Sequence, residues 1–448
     1  MGALFKDGKI IKETQTLEQV LNETQKYISQ NYSSSLLKIK DKQNNNEVLL
    51  SYVKKHILDK KYNVNGYNTE DLINYIFREM KTVSFLEKYL NDKEVEEINI
   101  LSYKDIEIRY NNGNILRTEE EFLSPENEKD ILTRLLAESK IIFNKTNPIA
   151  IGHMDQNKRI TIFSDPIFDE NKGIGASIRI VNPKKLKTKD FIDCGEMTED
   201  MADLLSLLYK YGVSICLSGE TGSGKTTLIE FFLGTVDNDK RVVTIEEDTR
   251  ELGGDKYDKS GRMINNVIHL ITKHSETKEQ EINMSDLLKL ALTIDPDYLV
   301  MAEMKGEESI ETVAAANTGH AVITTTHADS CRSTYYRILE LCKKKTSISD
   351  EILLSMIARA FPIVIKVKKH SDHKRRITEI TECIGIENNE PIIETLYKYE
   401  IEETKILEDG SKEVIGQFKK IRDPSKKIKD KFIENGATKE EIRKIFKE

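Results

Sequence analysis

The residues most able to do chemistry lie in one run, Gly219-Glu220-Thr221-Gly222-Ser223-Gly224-Lys225-Thr226. Their spacing is G-x-x-x-x-G-K-[ST], which suits a loop that cradles nucleotide phosphates. Glycines allow a tight curl with backbone N–H groups turned inward, and a following helix adds unpaired N–H groups and the positive end of its dipole. Lys225 has the length to meet the β- and γ-phosphates, and the Thr226 hydroxyl is a Mg²⁺ ligand type. Such a loop must be held between a strand and a helix. Val213-Ser214-Ile215-Cys216-Leu217 is short and mostly apolar, as a buried strand would be. Thr227 to Leu233 carries apolar residues at helical spacing.

Nucleotide hydrolysis also needs a Mg²⁺ shell, a positioned water and positive charge near the γ-phosphate. Glu246-Glu247-Asp248, with Glu251 close behind, follow the apolar run Arg241 to Ile245. This cluster reads equally as a Mg²⁺-holding group or as a solvated acidic turn. Glu303 ends the apolar run Tyr298 to Ala302. The C-terminal end of a central strand is where open α/β sheets bind ligands, so Glu303 is the candidate to orient the attacking water. His320 and His327 bracket Ala321 to Thr325. His327 is again at a C-terminal end, where a neutral imidazole could donate to a phosphate, although a lone histidine is more often structural.

The 448 residues allow two to four domains. With 38% hydrophobic and 32% charged residues, the composition is that of a globular chain. No apolar run is long enough to span a bilayer, and the N-terminus lacks a signal-peptide core, so a cytoplasmic location is expected. A net charge of −8 gives no support to a nucleic-acid-coating role. The five cysteines form no C-x-x-C pair and suggest neither disulfides nor a zinc site.

The chain reads in four parts. Residues 1–90 are expected to be helical, with periods starting near Leu17, Val53 and Leu72, an N-cap signal at Asn68-Thr69-Glu70-Asp71 and a polar break at Gln43 to Asn46. Residues 91–182 predict an α+β domain. Its strands include Ile98 to Ile100, Ile106 to Ile108, Ile115-Leu116 and Ile160 to Ile162, with a turn at Asn111 to Asn114 and a helix over Glu128 to Ile142. Residues 183–195 form a basic, proline-containing linker. Residues 196–448 alternate helix and strand, which predicts a parallel sheet covered by helices. A hairpin over Ile363 to Ile380 and a charged helical tail follow.

Taken together, these boxes resemble the type II/type IV secretion ATPase superfamily (the GspE/VirB-type ATPases), in its CpaF-like branch. The resemblance rests on Ser218 to Thr227, Thr244 to Leu252 (TIEEDTREL, the Asp box), Asp297 to Gly306 (DYLVMAEMKG, an atypical Walker B) and Thr318 to Ala328 (the His box). Val95 to Ile98, Ala176 to Arg179 and Thr378 to Glu382 match flanking parts of the family. The resemblance implies an α/β, RecA-like P-loop ATPase domain behind an α+β domain, with the helical extension in front. It implies a homo-hexamer that binds ATP and Mg²⁺ between these two domains and drives an inner-membrane platform protein from the cytoplasmic face of the membrane. Gly219 to Thr227 would bind the nucleotide; Thr226, Glu247 and Glu303 would hold Mg²⁺; Lys225 and His327 would face the phosphates. Arg159 and Arg179 match arginines that reach the nucleotide as the cleft closes. The chain departs from the family in having Lys305 where Gly-Glu-x-Arg-Gly has arginine, Thr293 and Asp295 where arginines are common, and a shortened His box. It also lacks the tetracysteine motif of some relatives. Two other readings stay open: a RecA-like nucleic-acid translocase, and a nucleotide-gated scaffold with little turnover.

Overall fold

The structure is a computed structural model that describes all residues except 1–3, 7–8, 12–13, 38–41, 112, 137–142, 156, 182–185, 274–277, 409 and 447–448. It divides into two compact units, Met1–Asn182 and Pro183–Glu448.

The first unit opens with an antiparallel pair, β1 (Leu4–Lys6) and β2 (Lys9–Ile11). Three helices follow, α1 (Leu17–Leu37), α2 (Lys42–Lys60) and α3 (Thr69–Lys81). They share a small core of Val20, Leu21, Val53, Ile57, Leu72 and Ile76. Asn68 caps α3 as expected, its side chain accepting from the Asp71 N–H at 2.8 Å. The polar break expected at Gln43 to Asn46 is instead the first turn of α2. Asparagine-rich turns are cheap to solvate at a helix start, so polarity there marks a beginning and not an interruption.

After α4 (Leu86–Leu90) come β3 (Val95–Ile100), β4 (Ile106–Tyr110), β5 (Ile115–Arg117), α5 (Pro125–Leu136), β6 (Ile149–Asp155), β7 (Lys158–Phe163) and β8 (Gly175–Ile180). These strands form a six-stranded antiparallel sheet in the order β5-β4-β3-β8-β7-β6. Ile98, Ile108, Ile160 and Ile178 meet Ile131 and Leu132 of α5 in its core. The expected helix over Glu128 to Ile142 begins earlier, at Pro125, and residues 137–142 of that reading lie outside the described residues. Strands β6 and β8 were not anticipated, because their Gly and Ala residues blur the apolar alternation.

The second unit holds α6 (Thr188–Asp193), α7 (Glu199–Lys210), β9 (Ile215–Ser218), α8 (Lys225–Thr235), β10 (Arg241–Glu246), β11 (Asn266–Ile271), α9 (Met284–Thr293), β12 (Tyr298–Met301), α10 (Glu308–Asn317) and β13 (Ala321–Thr326). It continues with α11 (Cys331–Lys343), α12 (Asp350–Ala360), β14 (Ile363–Lys369), β15 (Arg375–Glu387), β16 (Glu390–Ile406), β17 (Lys412–Lys420), α13 (Lys426–Glu434) and α14 (Lys439–Ile445). One nine-stranded sheet runs β11-β10-β12-β13-β9-β14-β15-β16-β17. It is parallel from β11 through β14 and antiparallel from there to β17. Within the expected linker, Thr188 to Asp193 is helical.

Alternate residues of each parallel strand enter opposite cores. Ile215, Leu217, Val242, Ile323 and Ile365 pack with α7 and α8, and Cys216, Val243, Leu299, Val322 and Val364 pack with α9 to α12. Such two-sided burial explains the continuous apolar runs. This is the α/β, RecA-like organisation expected from the sequence, and it sets the C-terminal ends of β9, β10, β12 and β13 along one edge. The expected hairpin is real, but its first strand, β14, is also the parallel neighbour of β9. Beyond the hairpin, β16 and β17 extend the sheet as two long strands that the sequence reading did not identify.

The β14–β15 turn is tied to β17 by a buried ion pair. Arg376 donates to both Asp372 carboxylate oxygens, at 3.0 and 2.7 Å, and to the Val414 carbonyl at 3.3 Å. Burial alone would raise the pKa of Asp372; the guanidinium and the backbone N–H groups of Lys374 and Val414 hold it at about 2. An unfolded aspartate titrates near 3.9, so this stabilisation is present above about pH 4 and is lost as pH falls through about 2. Asp372→Ala strands a buried guanidinium and should cost about 3 kcal/mol at neutral pH in urea unfolding. The gap to wild type should narrow as pH falls from about 4 to about 2.

Candidate functional site

Residues 219–224 form the loop between β9 and α8. Two glycines are sterically required. A Cβ on Gly219 would lie 2.3 Å from the Val367 carbonyl oxygen. Gly224 has φ +101°, and a Cβ there would lie 2.7 Å from Arg375 Cδ. Gly224 opens α8 with no side-chain cap, so the helix N–H groups are not taken by a capping side chain. Lys225 is buried, and its Nζ donates to the Gly219 carbonyl at 2.8 Å and the Glu220 carbonyl at 3.0 Å. Its third neighbour is His327 Nδ1 at 3.3 Å. Burial lowers the Lys225 pKa, and the Glu303 carboxylate opposes that. Thr226 and Thr227 follow on the first turn of α8, half-buried.

His327 and Glu303 meet across the ends of β13 and β12, with His327 Nε2 3.1 Å from Glu303 Oε1. Their backbones are pinned: Met304 N–H donates to the Thr325 carbonyl at 2.8 Å, and the Thr325 hydroxyl donates to the Ala302 carbonyl at 2.8 Å. With its hydrogen on Nε2, a neutral His327 donates to Glu303 and accepts from Lys225; when doubly protonated, it donates to Glu303 and to the Gly219 carbonyl, 3.0 Å from Nδ1. The structure thus joins Lys225, His327 and Glu303 in one chain of contacts. His320 stands at the opposite end of β13, against the Ala315 carbonyl and the Thr318 hydroxyl.

The acidic cluster resolves into different roles. Glu247 forms an ion pair with Lys305, the residue that departs from the family pattern. It also borders a cavity of about 300 Å³ shared with Thr272, Asn283, Ser285, Glu307 and Lys345. Glu246 turns inward and cannot serve as a solvent-facing Mg²⁺ ligand. Its Oε1 accepts the Glu251 and Leu252 N–H groups, both at 2.8 Å, and so shapes the loop that follows β10. A strand-end carboxylate can face either way, and the strand pleat decides it.

Arg159 and Arg179 belong to the first unit, where they are cross-strand partners on β7 and β8. Their neighbours in the strands, Ile160 and Ile178, point into that unit's core. Two residues near the loop escaped the sequence reading. Lys366, buried and opposite Ser218 in the β14–β9 pairing, donates to the Ala328 carbonyl at 2.6 Å, which the Ser218 hydroxyl also reaches at 3.3 Å. Arg375 Nε donates to the Gly222 carbonyl at 3.3 Å. The only signal for both was the density of basic residues in the hairpin.

Among the described residues no group of three or more His, Cys, Asp or Glu could hold a metal ion. What the site offers is a hydroxyl, Thr226, and two carboxylates at strand ends. That donor set suits a Mg²⁺ that keeps waters and shares substrate phosphates, which is how Mg²⁺ is usually bound. The glycine cradle and the uncapped helix suit the phosphates themselves.

The profile of the type II/IV secretion system protein family matches residues 92–443. PtlH, a type IV secretion system protein of Bordetella pertussis, is 30% identical over 185 residues, 40% of this chain and 52% of that protein. The conjugal transfer protein TrbB of Rhizobium radiobacter is 27% identical over 242 residues, 53% of this chain and 67% of that protein. The chain spans about half the length of curated relatives such as PtlH. The X-ray structure of the Legionella pneumophila ATPase DotB aligns with 81% of this chain and 88% of its own, at 16% identity and a TM-score of 0.48.

Burial raises the pKa of Glu246 to about 8, against the two N–H bonds that lower it. An unfolded glutamate titrates near 4.3, so the folded protein holds the proton more tightly. The associated stabilisation is complete below about pH 4 and is lost as pH rises through about 8. Glu246→Gln cannot ionise, so its melting temperature should fall less than that of wild type between about pH 5 and about pH 9.

Proposed function

The chain belongs to the type II/IV secretion system protein family, and we propose that it hydrolyses ATP to ADP and phosphate to power a secretion or pilus-assembly apparatus. The observation that carries this reading is the contact chain Lys225–His327–Glu303 beside the glycine loop. In it an ammonium suited to binding phosphate and a carboxylate suited to orienting water are linked at one strand edge through a single imidazole.

In this reading residues 219–227 bind the triphosphate through loop N–H groups, the α8 N-terminus and Lys225. Lys225 must then turn from the Gly219 and Glu220 carbonyls toward the phosphates, which also withdraws its ammonium from His327 Nδ1. Glu303 Oε1 is engaged by His327 Nε2, which leaves Oε2 to accept a hydrogen bond from a water. That water attacks the γ-phosphorus, the bond to the bridging oxygen of ADP breaks, and the water proton leaves by way of Glu303 Oε2 or the phosphate. Mg²⁺ held by Thr226, Glu247 and Glu303 would neutralise charge on the phosphate oxygens. Glu247 would exchange its Lys305 partner for that role. Arg159 and Arg179 would supply guanidinium charge to the γ-phosphate. In this reading, as the family resemblance implies, the chain acts as a homo-hexamer. Its place would be the cytoplasmic face of the membrane and its partner an inner-membrane platform protein, and the membership in a secretion system family is what supports this.

The test is ATP turnover with Mg²⁺ for wild type and Glu303→Gln, with oligomer size read on the same samples. The variant should bind ATP and hydrolyse it at least about tenfold more slowly. Equal turnover in both would move the water-positioning role away from Glu303 and favour the scaffold reading.

A further inference from the structure

The hairpin β14–β15 touches the glycine loop at both ends. At the start, the Val367 carbonyl oxygen occupies the space that a side chain on Gly219 would need. At the end, Arg375 lays its Cδ against Gly224 and its Nε on the Gly222 carbonyl, 3.3 Å away. Between Lys366 and Arg376 the hairpin has a single acid, Asp372, and Arg376 takes up both of its oxygens. Arg375 therefore has no competing carboxylate within its own turn.

The turn that presents Arg375 is closed by hydrogen bonds. His370 N–H donates to the Lys374 carbonyl at 2.9 Å, and Lys374 N–H donates to Asp372 Oδ1 at 3.1 Å. Arg376, the next residue, is anchored on Asp372 and on Val414 of β17. Glu196 adds a second constraint. Its carboxylate is buried with one oxygen lacking a hydrogen-bond partner, and it feels the charge of Arg375. Its carbonyl accepts from Ile377 N–H at 2.9 Å, two residues past Arg375.

We propose that Arg375 is a positioning residue for the phosphate loop, bracing Gly222 to Gly224 from β15 so that the loop is already shaped when nucleotide arrives. The proposal rests on the reading of residues 219–227 as a nucleotide site. A brace of this kind cuts the ordering cost of binding. It should therefore act on nucleotide affinity and leave the chemical step nearly intact once the site is filled.

The experiment uses the full chain, a fluorescently labelled ADP and steady-state ATP hydrolysis. Arg375→Ala should weaken labelled-ADP binding by about tenfold or more and raise KM in parallel, with kcat within about threefold of wild type. Its nucleotide-free melting temperature should stay within about 2 °C, as expected for a half-exposed side chain. Arg375→Lys keeps the stem and a donor and should recover part of the affinity. Affinity within about twofold of wild type overturns the proposal, as does an affinity loss matched by a falling melting temperature, or a fall in kcat at unchanged affinity. Should Arg375→Ala not fold, Arg375→Lys and Arg375→Gln decide: graded weakening supports the brace, and wild-type affinity in both overturns it. Wild-type protein that binds no labelled ADP overturns the nucleotide reading and this proposal with it, whereas wild-type binding unaffected by Arg375→Ala overturns this proposal alone.

Discussion

A buried ammonium must be given acceptors, because an unpaired charge away from water is costly. Lys225 meets that demand with two loop carbonyls and one imidazole nitrogen. These acceptors tie down two different elements. The carbonyls curl the loop after β9, and the imidazole draws in the end of β13. Through its other nitrogen, His327 then holds Glu303 at the end of β12. The arrangement is possible only because β9, β12 and β13 are parallel, so their C-terminal ends share one edge.

Much of this was legible in the sequence. Gly219 to Thr226 announced both the loop and its flanking strand and helix, since each residue type has a physical task there. Strands β10, β12 and β13 were legible because burial on both faces leaves continuous apolar runs. Glu303 and His327 could be placed at strand ends, but their contact could not, since adjacency of β12 and β13 is a long-range property. The inward turn of Glu246 depends on strand pleat, which a run of acids does not reveal. Strand β11 was missed because Asn266 and His269 interrupt its apolar pattern; His269 is tied to Thr244 at 2.8 Å and to Asp255 at 3.2 Å. Lys366 and Arg375 were hidden for another reason. A hairpin can be read locally, but nothing local shows that its first strand lies beside the strand that carries the phosphate loop.

The departure at Lys305 now has a physical description. An arginine there could have offered a planar fork to a carboxylate and to a further partner at once. Lys305 supplies a point charge, and the structure shows it paired with Glu247. The pair is half-exposed, so solvent weakens it and a competing cation could displace it at modest cost. Glu303 is held differently, by an imidazole that also faces Lys225. The two strand-end carboxylates are therefore under separate control.

The strand order has one more consequence, for synthesis. Strand β9 lies between β13 and β14, so both of its hydrogen-bonding neighbours are made long after it. The interval from Ser218 to Lys369 is 369 − 218 = 151 residues, roughly 8–30 s of translation at the usual elongation rates. Strand β13 becomes available first, 326 − 218 = 108 residues after Ser218, and the β14 side of β9 stays open until the end of that interval. The first unit, whose strand partners all lie before residue 183, is complete by then. The contacts of the β14–β15 hairpin with Gly219, Gly222 and Gly224 thus become available only after every other strand of the parallel sheet has been made.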